Sequence, residues 1–113
     1  MGLAAIRVTN IDTALVPTAT NDSTSVTDQS TTVDDTAADL IGTALNDITT
    51  HVFWTLDGAN ARFTFDGSDP TTSNGHFVAD GKSGIWDRRM AEACKVIRDG
   101  SVDGYIHITE MTK

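Results

Sequence analysis

The chain is short of the features that most often announce a chemical task. Cys94 is the only cysteine among 113 residues, so an intrachain disulfide is excluded and a cysteine-based zinc site has no ligands. A lone cysteine fits a reducing cytoplasm, or a particle assembled in one. No apolar run is long enough to cross a bilayer. The opening MGLAAIRVTN lacks the charged start and apolar core of a signal peptide. It does begin Met-Gly, but Ile6 stands where a myristoylation signal takes Ser or Thr. Glutamate occurs only at Glu92 and Glu110, and no aromatic residue lies between positions 8 and 50.

The most informative absence is one of charge. From Val8 to Ala61 there is no Lys or Arg, while eight aspartates fall in that interval. Residues 62–113 are nearly balanced, with eight acids against seven bases, and the whole chain carries −8. An acidic field repels phosphate backbones, so nucleic acid is not an expected partner. Anionic membranes are disfavoured for the same reason. A basic protein surface suits the N-terminal half better.

What is present divides into two zones. Positions 8–50 hold twelve threonines with serines and aspartates, and PTATNDSTSVTDQSTTVDD (17–35) offers little to a core. Short polar side chains there compete for backbone hydrogen bonds. The stretch is either a loop or an arm that orders against a partner. As an arm, the strand formers Thr24, Val26, Thr31 and Val33 are its candidates for adding to a neighbour's sheet. In DTAADLIGTALNDI (35–48), Ala38, Ile41, Ala44, Leu45 and Ile48 have helical spacing, while Gly42 and Thr43 weaken a helix. A short helix and a strand pair both remain open.

From position 51 the pattern is β. HVFWTL and ARFTF flank DGAN, a glycine-containing loop of hairpin length. HFVAD, a DGKSG turn and the alternating YIHIT follow. IWDRRMAEACKVIRDG (85–100) supports two readings: Met90, Ala93, Cys94 and Ile97 fit a helix, whereas CKVIR alternates as a strand. The expected fold is mainly β, a β-sandwich or jelly-roll-like domain with at most one short helix. Residues 1–50 would be an extended arm or edge strands, and 51–113 the body of one structural domain.

RFTFDGSDPTTSNGHF (62–77) gathers acids and a histidine, and so invites a metal or catalytic reading. Asp66, Asp69 and Asp80 lack the alternate spacing and distal Glu of an EF-hand. His51, His76 and His107 lack the short spacing of zinc ligands. There is no G-x-S-x-G elbow, and GKSG (81–84) lacks the upstream glycine of a P-loop. Two acids facing across a cleft, as glycoside cleavage requires, are not suggested. Turn chemistry explains the stretch instead, with Asp66, Gly67, Asp69, Pro70 and Gly75 forming a structural corner. No catalytic residue, metal or cofactor is expected. Trp54 belongs in the core. Trp86 beside Arg88 and Arg89 suits a rim anchor for protein or sugar, the arginines facing an acidic surface.

Arg62, Asp66, Gly67, Pro70, Thr71, Gly75, His76, Gly81, Ile97, Arg98, Gly100 and Asp103 form a pattern within about residues 52–109. In these residues the second half resembles small virion proteins of tailed bacteriophages. In that pattern an Arg-aromatic strand enters a DG-x-x-PT corner, then a GH strand and an IR-x-G…D hairpin lead to an alternating last strand. The Thr/Asp-rich N-terminal part is outside the match, and DRRMAEACK is more helical than the pattern. The resemblance implies a capsid decoration or cement protein, without catalysis, placed on the capsid surface of a virion assembled in the host cytoplasm. Its partners would be the major capsid protein and neighbouring copies of itself in a dimer or trimer. A neck or baseplate component of the same particle and a carbohydrate-binding module are the alternatives.

Overall fold

Alternation decides which side of each strand is buried. In the strand His51–Asp57, Val52, Trp54 and Leu56 are buried, while Phe53 and Asp57 are exposed. In the last strand, Gly104–Thr112, Ile106, Ile108 and Glu110 face inward and Tyr105 and His107 outward. Each strand therefore needs a second apolar layer against its inner face. A computed structural model, describing residues 15–17 and 28–112, supplies that layer as a β-sandwich. The sequence-based candidates Thr24 and Val26 lie outside the described residues.

The elements in order are β1 (Val16–Pro17), β2 (Asp28–Val33), β3 (Ala38–Asp39), β4 (His51–Asp57), β5 (Ala61–Thr64), β6 (His76–Val78), β7 (Ser83–Asp87), α1 (Arg88–Ala93), β8 (Lys95–Arg98) and β9 (Gly104–Thr112). The larger sheet runs β9-β4-β7, with β1 and β2 both bonded to the far edge of β9. The smaller sheet has the order β3-β8-β5-β6. Every pairing is antiparallel. Val33, Leu40, Leu45, Val52, Trp54, Leu56, Phe63, Val96, Ile106 and Ile108 form most of the core between the sheets. Trp54, Phe63 and Trp86 pack there ring against ring, with centroids 4.9–5.5 Å apart.

Three expectations need correction. The DGAN segment does not close a hairpin, because β4 and β5 belong to different sheets. Both strands bury an apolar set, and arching across the core lets the two sets face each other. Gly58, at φ 96°, makes the bend. Asp80 Oδ1 accepts from Gly58 N–H at 2.8 Å, and Asn60 Oδ1 accepts from Asp80 N–H at 2.9 Å, holding the arch. The IR-x-G…D segment also crosses between sheets, from β8 to β9, and does not form a hairpin. Residues 35–48 form neither a helix nor a strand pair of their own, only β3 and a turn. There Gln29 of β2 takes over the backbone partners that a helix would use. Its Oε1 accepts from the N–H groups of Gly42 and Thr43, and its Nε2 donates to Thr43 O.

Each reading of 85–100 holds for part of the segment: Met90 and Ala93 lie in a helix, whereas Cys94 caps it in extended conformation and Ile97 lies in a strand. Asp87 caps α1, accepting from Met90 N–H at 2.8 Å, and Ala91 is the helix's buried contact. Cys94 returns to extended backbone and the chain continues as β8. The helix is short because the next residues have strand partners on both sides, β3 and β5.

Gly104 marks the tightest approach in the fold. A Cβ there would sit 2.5 Å from Asp57 O and 2.8 Å from Ala59 N, both backbone atoms of the β4–β5 arch. Gly104→Ala should therefore cost about 1–3 kcal/mol or more in urea denaturation. Gly42, with nothing within 4 Å and no positive φ, is the control. Gly42→Ala should be neutral or stabilising by up to about 1 kcal/mol.

Candidate interaction surfaces

The outer face of the larger sheet follows from strand register. Phe53 lies opposite Ile85 on β7 and Thr109 on β9. One row along, His51 lies opposite Asp87 and Met111, and Met111 lies opposite Pro17. In the other direction, Thr55 and His107 make a polar row, followed by Tyr105 against Asp57 and Thr32. Phe53 is 38%, Ile85 47% and Tyr105 52% exposed. Phe53 and Ile85 form an apolar pair directly across two strands, on a chain of net charge −8.

That pair sits beside an unpaired sheet edge. Among the described residues β7 bonds only to β4. Leu56 N–H donates to Lys82 O and Arg88 N–H to Thr50 O, which fixes the phase of the ladder. Hydrogen-bonded positions alternate in an antiparallel pair, so Gly84 and Trp86 point their backbone groups at β4. Ser83 and Ile85 consequently turn N–H and C=O away from the sheet. Such an edge can accept a further strand. By contrast, the edge of β2 is partly covered: Thr31 Oγ1 donates to Leu40 O at 2.7 Å, and Gln29 binds the 42–43 backbone.

The residues singled out from sequence are scattered over the fold. Val33 is fully buried and Thr31 is spent on Leu40, so within β2 both serve the sandwich itself. Trp86 points inward, half-buried among Trp54, Phe63 and Phe65. Arg88 donates through Nη1 to Asn46 O and Thr49 O, and through Nε to Glu92, tying α1 to the 46–49 loop. Arg89 is exposed, with no ion pair among the described residues. Of the Trp86, Arg88 and Arg89 group, Arg89 alone is exposed.

The 66–75 corner is built as turn chemistry predicts. Asp66 Oδ1 accepts from the N–H and hydroxyl of Ser68, and Thr64 Oγ1 donates to Ser68 O at 2.6 Å. Those bonds from Ser68 hold the Asp66 carboxyl below the usual carboxylate range. Pro70 is buried, Asp69 pairs with Lys95 at 3.2 Å, and Gly67 and Gly75 take positive φ. Among the described residues no three His, Cys, Asp or Glu side chains converge as metal ligands do. No helix there is long and apolar enough to cross a membrane.

Sequence reasoning missed Glu110, a carboxylate 1% exposed in the core layer. Its Oε1 accepts from Asn46 N–H at 2.8 Å and Thr49 Oγ1 at 2.6 Å. Sealed from solvent and committed to these donors, it fastens the 46–49 loop to β9. Its signal was visible only as a polar residue on the inner parity of YIHITE. No protein-family model, curated protein or solved structure matches the chain.

Cys94 is the other buried reactive group. Desolvation raises its thiol from the ordinary 9.0 to about 12. The native thiol should resist aromatic disulfide reagents at neutral pH and react once the chain is unfolded. Between pH 9 and about 12 the unfolded thiol ionises while the native one stays protonated, so rising pH favours unfolding. Melting curves should show wild type losing stability relative to Cys94→Ala as pH climbs through that window.

Proposed function

We propose that the protein is a non-catalytic structural component of a tailed-phage virion, a decoration or cement protein that binds the assembled capsid shell and stabilises it. The observation that carries this reading is the exposed Phe53–Ile85 pair beside the β7 edge, which is unpaired among the described residues. Contiguous exposed apolar side chains on a sheet face are a mark of an interaction surface. An edge with outward N–H and C=O groups gives a partner's strand both affinity and register. The shell's major capsid protein is the partner, and neighbouring copies of this chain complete the assembly. The resemblance of residues 52–109 to small virion β-domains supports the same reading.

The energetics suit a lattice. A single small patch supports only modest affinity, but a symmetric oligomer engages several capsid subunits at once, and effective concentration multiplies the contacts. Binding the closed shell and not its free subunits stabilises the shell by mass action. The acidic surface sets a further condition, that the docking region of the shell be basic or neutral.

The test uses the full-length protein and capsids of the parent phage assembled without it. Wild type should co-sediment saturably and raise the temperature at which the shells release their contents. The Phe53→Ser, Ile85→Ser double variant should fold and bind at least about tenfold more weakly, as loss of an interface hot spot does. Shells left unbound and unstabilised by wild type would refute the reading.

A further inference from the structure

The corner joining β5 to β6 encloses a depression of about 430 Å³, within the range of small-molecule sites of about 300–1,000 Å³. Phe63, Phe65, Asp66, Asn74, Gly75 and His76 line it. Its apolar part is fixed in place. Phe65 meets Trp86 edge-on at 5.1 Å, and the His76 ring lies 5.9 Å from Phe65 at an angle of 43°. Gly75, at φ 121°, brings the returning chain so close to β5 that a Cβ would sit 2.9 Å from Phe63 O. The shape of the depression therefore depends on glycine at that position.

Its polar part has unused bonding capacity. Ser68 occupies Asp66 Oδ1 and so orients the carboxylate, while Oδ2 has no partner among the described residues. The backbone of Asn74 is held by reciprocal bonds with Thr71, yet its side-chain amide bonds nothing among the described residues. The imidazole of His76 is likewise exposed, in ring contact with Phe65 and without a hydrogen bond there.

An oriented carboxylate accepts from a pair of hydroxyls, an amide both donates and accepts, and an aromatic face takes an aliphatic C–H surface. A pyranose ring offers all three on one molecule. The ionised Asp66 and the net charge of −8 oppose phosphates and acidic sugars. We propose that this corner is a binding site for a neutral hexose unit of a polysaccharide. The site is built on the smaller sheet, whereas the Phe53–Ile85 pair lies on the outer face of the larger one, so it stands independently of capsid binding. It also replaces Trp86 as the sugar-contacting candidate, since Trp86 packs behind Phe65 and acts only through it.

Titrating the ¹⁵N-labelled full chain with glucose, galactose, mannose and N-acetylglucosamine tests this directly. At least one sugar should give saturable shifts centred on Asp66, Asn74, Gly75 and His76, with a Kd of about 1 mM, typical of a single weakly held ring. Asp66→Ala should weaken that binding about tenfold or more, as loss of a charge-assisted hydrogen bond does. Because Asp66→Ala also frees Ser68, Asn74→Ala provides a variant whose lost side chain supports nothing else in the corner. It should bind several-fold more weakly at unchanged melting temperature. Phe53→Ser should bind as wild type does. Absence of saturable shifts with all four sugars, shifts centred elsewhere, or shifts that survive both corner variants would overturn the proposal.

Discussion

The fold depends on what β9 holds. Its nine residues bond to β4 along one edge and to β2 and then β1 along the other, so the larger sheet is assembled around the end of the chain. Thr109 lies opposite Asp28, and its hydroxyl donates to that carboxylate across 81 positions of sequence. Ile106 and Ile108 project from the same strand into the core, and Glu110 fastens the 46–49 loop. Contacts of such sequence separation must overcome loop-closure entropy before they stabilise anything, which favours slow, cooperative folding. DQSTTV (28–33), poor in core-forming residues, has a defined place as β2 because β9 offers a complementary edge.

This explains what could be read in advance. Alternation in HVFWTLD, ARFT and YIHIT is local, so the strands and their buried parity were legible, as were the β class and the place of Trp54. Sheet membership was not. DGAN, DGKSG and the 99–103 segment all have hairpin-like composition, yet each carries the chain from one sheet to the other. Composition fixes how sharply the backbone bends, whereas the partner is chosen by which apolar faces must meet. β2 was legible only in part, for a similar reason: Thr31 and Val33 marked a strand-forming stretch, but not which sheet it joins. DQSTTV has one apolar residue, and its strand identity comes from β9 and from the bonds that Gln29 and Thr31 make to residues 40–43.

The surfaces follow the same logic. Phe53 belongs to a strand recognised from sequence, whereas Ile85 lies in β7, which the sequence reading divided between the DGKSG turn and the 85–100 segment; the register between β4 and β7 brings them together. Arg88 looked available because it stands in a charged run. The structure spends it on two loop carbonyls and Glu92, leaving Arg89 outward. In the 66–75 corner Asp66 accepts hydrogen bonds from Ser68, while Gly67 and Gly75 take positive φ, and the same turns shape a depression that no ligand spacing could have revealed. Asp66 is oriented by Ser68 two residues on, while Asn74 and His76 arrive from the far side of the loop.

The two proposals place separate tasks on separate sheets: attachment through the larger, and recognition of a small neutral ligand through the corner of the smaller. The central claim is the first, and a reconstruction of the parent particle decides it most directly. The account predicts density for this chain on the outside of the shell, repeated with the capsid lattice, with Phe53, Ile85 and the β7 edge against capsid subunits. A shell without such density, or density with that face turned to solvent, would contradict it.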